Sequence, residues 1–112
     1  MMKSVVCTQP GVMEVRDIKR PQDQAGRVVI KIKRIGICGT DIHAFGGNQP
    51  FFQYPRVLGH ELSGVIDSVG EGVALEVGQE VYVVPYMSCG RCIACRNGKA
   101  NCCTDIQVLG VH

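Results

Sequence analysis

Seven cysteines occupy this chain, and five of them fall between positions 89 and 103. Cys89, Cys92 and Cys95 form two overlapping Cys-x-x-Cys pairs, and Cys102 and Cys103 follow seven residues later. Four thiolates at such short spacings can wrap one tetrahedral zinc with Zn–S arms near ~2.3 Å. Gly90 and Gly98 allow the tight turns this needs, and Arg91, Arg96 and Lys99 place positive charge beside a dianionic site. Without metal the segment has little to hold it together. The rival readings are redox-active Cys-x-x-Cys pairs and incidental structural thiols. A redox pair normally opens a helix and stands alone, whereas here two pairs overlap and a further cysteine follows. Cys102 and Cys103 cannot both join the other three in a four-coordinate site, and chemistry alone does not choose between them. An odd cysteine count fits metal ligation better than a disulfide framework. Cys7, inside a strand pattern, reads as a small buried hydrophobe.

A second set of reactive side chains is scattered in sequence. Cys38-Gly-Thr40-Asp41-Ile-His43 is one piece, and Gly59-His60-Glu61, followed by Gly64 and Gly70, is the other. Cysteine with histidine suits a borderline-soft cation such as zinc. Asp41 is a natural acceptor for the second ring nitrogen of a ligating histidine. The Thr40 hydroxyl can pass a proton, and His43 titrates near neutrality. Singly, each has a plain explanation: a packing cysteine, a surface histidine, a turn glycine. Spacing alone leaves open whether the two pieces meet.

The elements that must position these residues are mostly short strands. Residues 4–9 and 12–18 read as strands joined across Pro10-Gly11. Residues 27–37 are the clearest strand, with Val28, Ile30 and Ile32 facing one way and Val29, Lys31 and Lys33 the other. Its basic residues lack interleaved aromatics and read as a solvated face. Residues 39–47 can make a short helical turn capped by Thr40 or Asp41 and stopped at Gly46-Gly47. Pro50 and Pro55 make 48–56 irregular. Phe45, Phe51 and Phe52 either wall a pocket or pack beneath that loop. Residues 62–70 and 79–86 read as strands, and 88–103 follows neither period. Five or six strands, one short helix and a cysteine lobe predict a mainly β, barrel-like fold.

Composition bounds the rest. A chain of 112 residues is one domain, with no room for a separate nucleotide-binding domain. The 14 glycines, 5 prolines and absence of tryptophan argue for turn-rich β structure on a Val/Ile/Leu core. A formal net charge of +2 is too weak to suggest a nucleic-acid partner. No apolar run approaches the roughly 20 residues of a membrane span, so no membrane partner is expected. The first fifteen residues carry no apolar signal region, so a cytoplasmic location is expected.

The three motifs together resemble the zinc-dependent medium-chain alcohol and polyol dehydrogenases. Gly36-Ile-Cys38-Gly-Thr40-Asp41-Ile-His43 resembles that family's catalytic-zinc segment. Gly59-His60-Glu61-x-x-Gly64 is similar to its zinc signature, and Cys89, Cys92, Cys95 and Cys103 match its structural-zinc lobe. The resemblance extends over essentially the whole chain. It implies a GroES-like β-barrel over 1–112 with a structural-zinc lobe at 88–103. It implies Cys38 and His60 as ligands of a catalytic zinc, with Glu61 able to approach the metal. It implies Thr40 and His43 as the proton relay, Asp41 behind the ligand histidine, and Cys103 rather than Cys102 as the fourth lobe ligand. The implied activity is NAD(P)-dependent oxidation of a secondary alcohol on a polyol or sugar-acid substrate, in a homo-oligomer. The family's third protein ligand to the catalytic zinc and its Rossmann domain have no counterpart here; Gly70-x-Gly72 is only a turn. The expectation is therefore an N-terminal part of the parent enzyme, inactive alone. Two other classes compete: a non-enzymatic GroES-like interaction module, and a zinc-storage or redox-sensing protein built on the cysteine lobe.

Overall fold

A computed structural model describes residues 1–50 and 52–111. Strands β1 (Met2–Gln9) and β2 (Val12–Ile18) pair antiparallel across the Pro10-Gly11 turn. Gly11 takes φ +80°, which a side chain would resist, so the turn depends on its lack of Cβ. β3 (Val28–Gly36), β4 (Glu61–Val69) and β5 (Glu80–Tyr82) form a three-stranded antiparallel sheet in that order. β6 (Tyr86–Met87) and β7 (Gln107–Val108) form a third, two-stranded ladder that closes the base of the cysteine lobe. Helix α1 (Gly39–Phe45) follows β3, and helix α2 (Ile93–Arg96) lies inside the lobe, followed by a single 3-10 turn at Ala100–Cys102. The chain is thus mainly β.

The pieces are tied by a few backbone bonds. Cys7 and Arg56 exchange N–H···O bonds of 2.8 and 2.9 Å, joining β1 to the loop before β4. Gly11 N–H donates to the Phe45 carbonyl at 2.7 Å, fixing the first hairpin against the end of α1. The Tyr54 hydroxyl donates to the Ala44 carbonyl, and the Tyr54–Pro55 peptide is cis. Among the described residues the buried apolar side chains are Val6, Cys7, Ala44, Phe52, Ile66 and Cys103. Cys7 is fully buried, as a small hydrophobe would be.

Several expectations needed correction. The strand expected at 79–86 breaks after Tyr82, and Pro85, which has no N–H for a ladder, lies in the gap before β6. The regular alternation expected in β3 fails at two register shifts, between Val29 and Ile30 and between Ile32 and Arg34, and Ile32 is left 39% exposed. The helix cap is Cys38 rather than Thr40 or Asp41. Asp41 instead sits in the first turn, where its Oδ2 accepts from the Cys38 N–H at 2.9 Å. α2 lies in the 88–103 stretch whose sequence follows neither period, and β7, at 107–108, lies just beyond it. Phe52 is buried with the Arg56 guanidinium 4.2 Å from its ring centre, so its role is packing. Phe45 is 40% exposed, and Phe51 lies outside the described residues.

Candidate metal centres

Antiparallel pairing explains why the scattered pieces meet. Gly36, the last residue of β3, is the register partner of Glu61, the first of β4. Cys38 lies two residues past the end of β3, and His60 lies one residue before β4. Both must emerge at the same end of the strand pair. One donor atom from each of Cys38, His60 and Glu61 lies within 4.8 Å of the others. His60 is 7% exposed, Cys38 is half-buried and Glu61 is exposed, so the cluster opens to one side. It sits at the head of a cleft of about 530 Å³, lined also by Arg34, Gly36, Leu62, Ser63, Tyr82, Val83, Pro85 and Tyr86.

Behind the cluster lies Asp41. Its Oδ1 is 3.8 Å from His60 Nδ1, and both atoms are buried without a hydrogen-bond partner. The Thr40 hydroxyl is likewise buried and unpartnered. Buried polar atoms cost free energy when unpaired, about 1–3 kcal/mol each, so the Asp41 and His60 atoms that face each other form a polar pair with no other partner among the described residues. His43 is exposed on the same helix. Neither Thr40, Asp41 nor His43 lines the cleft itself.

The lobe forms a separate cluster. The sulfurs of Cys89, Cys92, Cys95 and Cys103 all lie within 4.8 Å of one another. A tetrahedral zinc with ~2.3 Å arms needs S···S edges of about 3.8 Å, which this spread accommodates. Cys103 is buried in the cluster, while Cys102 is exposed and outside it.

Backbone amides point at these sulfurs. Cys89 N–H donates to Cys103 Sγ at 3.3 Å and Cys92 N–H to Cys89 Sγ at 3.3 Å. Cys95 N–H reaches Cys92 Sγ at 3.5 Å, and Asp105 N–H reaches Cys103 Sγ at 3.4 Å. Such donors favour thiolate over thiol. The Cys95 amide, with that of Thr104, lowers Cys92 from 9.0 to about 6. The Cys89 and Asp105 amides lower Cys103. Burial, with a hydrogen bond shared with Cys92, raises Cys95 to about 11. The four sulfurs are therefore prepared unequally: some ionise readily, and one keeps its proton until a cation replaces it. Both donor sets fit zinc by hardness and number, the lobe as a closed S₄ site and the Cys38 cluster as an open one.

Sequence reasoning missed the cleft wall. Pro85 was the available signal, since it has no N–H to carry a ladder through to Tyr86. It also missed Gly110, which takes φ +78° with its α-carbon close over the Gly59 carbonyl, behind His60.

Comparison with known proteins places these features in a wider set. The family described as alcohol dehydrogenase GroES-like domain matches residues 24–111. The chain is similar to the L-galactonate-5-dehydrogenase of Escherichia coli K12, at 54% identity over 99% of this chain and 33% of that protein. The structure of RspB from E. coli CFT073, described as a short chain alcohol dehydrogenase complexed with NADH, superposes with TM-score 0.87. It is 47% identical over 99% of this chain and 32% of that one. Galactitol-1-phosphate dehydrogenase from E. coli superposes with TM-score 0.89 at 37% identity, over 98% of this chain and 32% of that one. The chain spans about a third of the length of the curated relatives it matches.

Proposed function

Because this chain belongs to the alcohol dehydrogenase GroES-like family, we propose that it is the metal-binding N-terminal part of a zinc- and NAD(P)-dependent dehydrogenase. In this reading residues 1–112 are one GroES-like unit with its structural-zinc lobe at 88–103. The nucleotide-binding domain belongs to the remaining two-thirds of the parent's length, the parent is a cytoplasmic homo-oligomer, and the fragment alone turns over nothing. The substrate is a secondary alcohol on a polyol or sugar acid, oxidised to the ketone. The observation that carries the proposal is the meeting of Cys38, His60 and Glu61 at the head of a cleft, from positions more than twenty residues apart.

Cys38, His60 and Glu61 would hold the catalytic zinc, and Cys89, Cys92, Cys95 and Cys103 the structural one. When bound, the catalytic metal supplies Lewis acidity that lowers the pKa of an alcohol. The chain's own residues do the rest. Asp41 faces His60 Nδ1 at 3.8 Å and leaves Nε2 as the donor nitrogen; closing that gap to a hydrogen bond would fix the ring's tautomer and raise its basicity. The Thr40 hydroxyl, buried and without a partner, would take the alcohol proton as it passes its own on, through a ribose hydroxyl or water, toward His43. His43, three residues further along α1 and exposed, delivers that proton to solvent. The apolar side chains of the cleft, Leu62, Val83 and Pro85, exclude water from one wall.

The polyol or sugar-acid assignment draws on the similarity to L-galactonate-5-dehydrogenase and galactitol-1-phosphate dehydrogenase. The test is turnover by the full-length parent with L-galactonate, sorbitol, threonine and ethanol, for wild type and Thr40→Val. The proposal expects a sugar acid or polyol to be preferred and Thr40→Val to lose most of the turnover. Ethanol as the best substrate would refute the substrate class, and an unimpaired Thr40→Val would refute the relay.

A further inference from the structure

Gly36 and Glu61 face each other as register partners where β3 ends and β4 begins. A Cβ added at Gly36 would overlap the Glu61 carboxylate, lie 2.9 Å from Glu61 Cβ and lie 3.3 Å from its Cδ. The Glu61 side chain therefore occupies the volume that any other residue at 36 would fill. Rotating the carboxylate away would relieve only the outer overlap. The Cβ of Glu61 is fixed by its backbone, so a methyl group at 36 must displace the whole side chain. Gly36 has no positive φ, so its glycine identity is not demanded by backbone conformation. What demands it is the neighbour.

We propose that Gly36 is a positioning residue for Glu61: the empty volume at Gly36 seats the carboxylate beside Cys38 and His60, and so sets the reach of the third donor toward a cation. Both residues line the cleft at that point. This rests on the metal-site reading above and goes beyond it by naming what places the exposed member of the cluster. His60 is held by burial and Cys38 by the hydrogen bond from its amide to Asp41, whereas Glu61 is exposed and its side chain lies in the space left by Gly36.

The test is cobalt(II) binding to the 112-residue chain whose lobe has first been filled with one equivalent of zinc. The Cys38 thiolate-to-cobalt charge-transfer band reports the cluster. Gly36→Ala should weaken cobalt affinity about tenfold or more, as should Glu61→Gln. The double variant should lose no more than Glu61→Gln alone, because the effect of Gly36 runs through the carboxylate. Equal and additive losses would show a merely structural role and overturn the proposal. Should Gly36→Ala fail to fold by circular dichroism, Glu61→Asp takes its place. Retracting the carboxylate by one methylene with Gly36 intact should weaken cobalt comparably, and wild-type affinity there would overturn the proposal. If the wild type gives no Cys38-dependent band, the metal-site reading falls and this inference with it. If the band is present and Gly36→Ala leaves it unchanged, only this inference falls.

Discussion

Asp41 Oδ1 lies 3.8 Å from His60 Nδ1, with each side chain about one-tenth exposed and neither atom otherwise hydrogen-bonded. The same carboxylate uses its other oxygen to hold the Cys38 amide at 2.9 Å. One aspartate thus faces both the buried histidine and the half-buried cysteine of the cluster. Asp41→Asn removes the negative charge behind the histidine while keeping the shape. It should lower metal affinity at Cys38/His60 by about tenfold to a hundredfold and leave the lobe's zinc in place. Competition with a chromophoric chelator measures both sites, and unchanged affinity would show that Asp41 does not act through His60.

The lobe distinguishes two adjacent thiols. Cys103 is buried among the other three sulfurs and Cys102 is exposed. Cys103→Ser should release the lobe's zinc and lower the melting temperature, and Cys102→Ser should do neither. Elemental analysis with a thermal melt reads both. Equal zinc loss in the two variants would put the ligand register in error.

Unequal thiol acidity has a consequence for proton release. Above about pH 6 the metal-free Cys92 is already ionised, since its pKa is lowered from 9.0 by the Cys95 and Thr104 amides. Cys103 is also lowered, while Cys95, raised to about 11, keeps its proton through neutrality. Zinc binding at pH 7.5 should therefore release fewer than four protons, about two to three, with Cys95 always among the donors. The number should climb toward four as pH falls below about 6 and Cys92 regains its proton, while affinity drops. Calorimetric titration in buffers of different ionisation enthalpy counts the protons. Four released at pH 7.5 would mean the amides do not hold Cys92 as a thiolate.

Gly110 and Gly72 both take positive φ, at +78° and +84°, but only Gly110 has backbone against it. A Cβ there would overlap the Gly59 carbonyl oxygen and approach the Gly59 carbonyl carbon to 3.0 Å. At Gly72 nothing lies within 4 Å. Gly72→Ala should cost about 1 kcal/mol of conformational strain, and Gly110→Ala clearly more, because the turn must also lift off the peptide carrying His60. Urea denaturation compares them, and equal losses would deny the close approach.

Much of this was legible in the residues. Pro10-Gly11 marked the first hairpin, the Val/Ile run of 28–32 marked β3, and the four-cysteine spacing marked the lobe because metal geometry is local. What remained hidden was set by partners distant in sequence. The β3 alternation was broken by bulges that only pairing with β4 imposes. The two-residue β7 has no periodicity to detect, and exists because Tyr86 and Met87 lie opposite. Spacing around Cys38 or His60 does not announce the other, and only the family resemblance paired them in advance. Their meeting follows from Gly36 pairing with Glu61, a register that no single segment encodes.

The central claim is that Cys38 and His60 hold a metal distinct from that of the cysteine lobe. The direct measurement is zinc content of the chain after dialysis against a small excess of zinc and desalting, for wild type, Cys38→Ser and His60→Ala. Wild type should retain close to two zinc ions per chain, the second more weakly held, and each variant about one. Retention of the same zinc content by all three proteins would contradict the account.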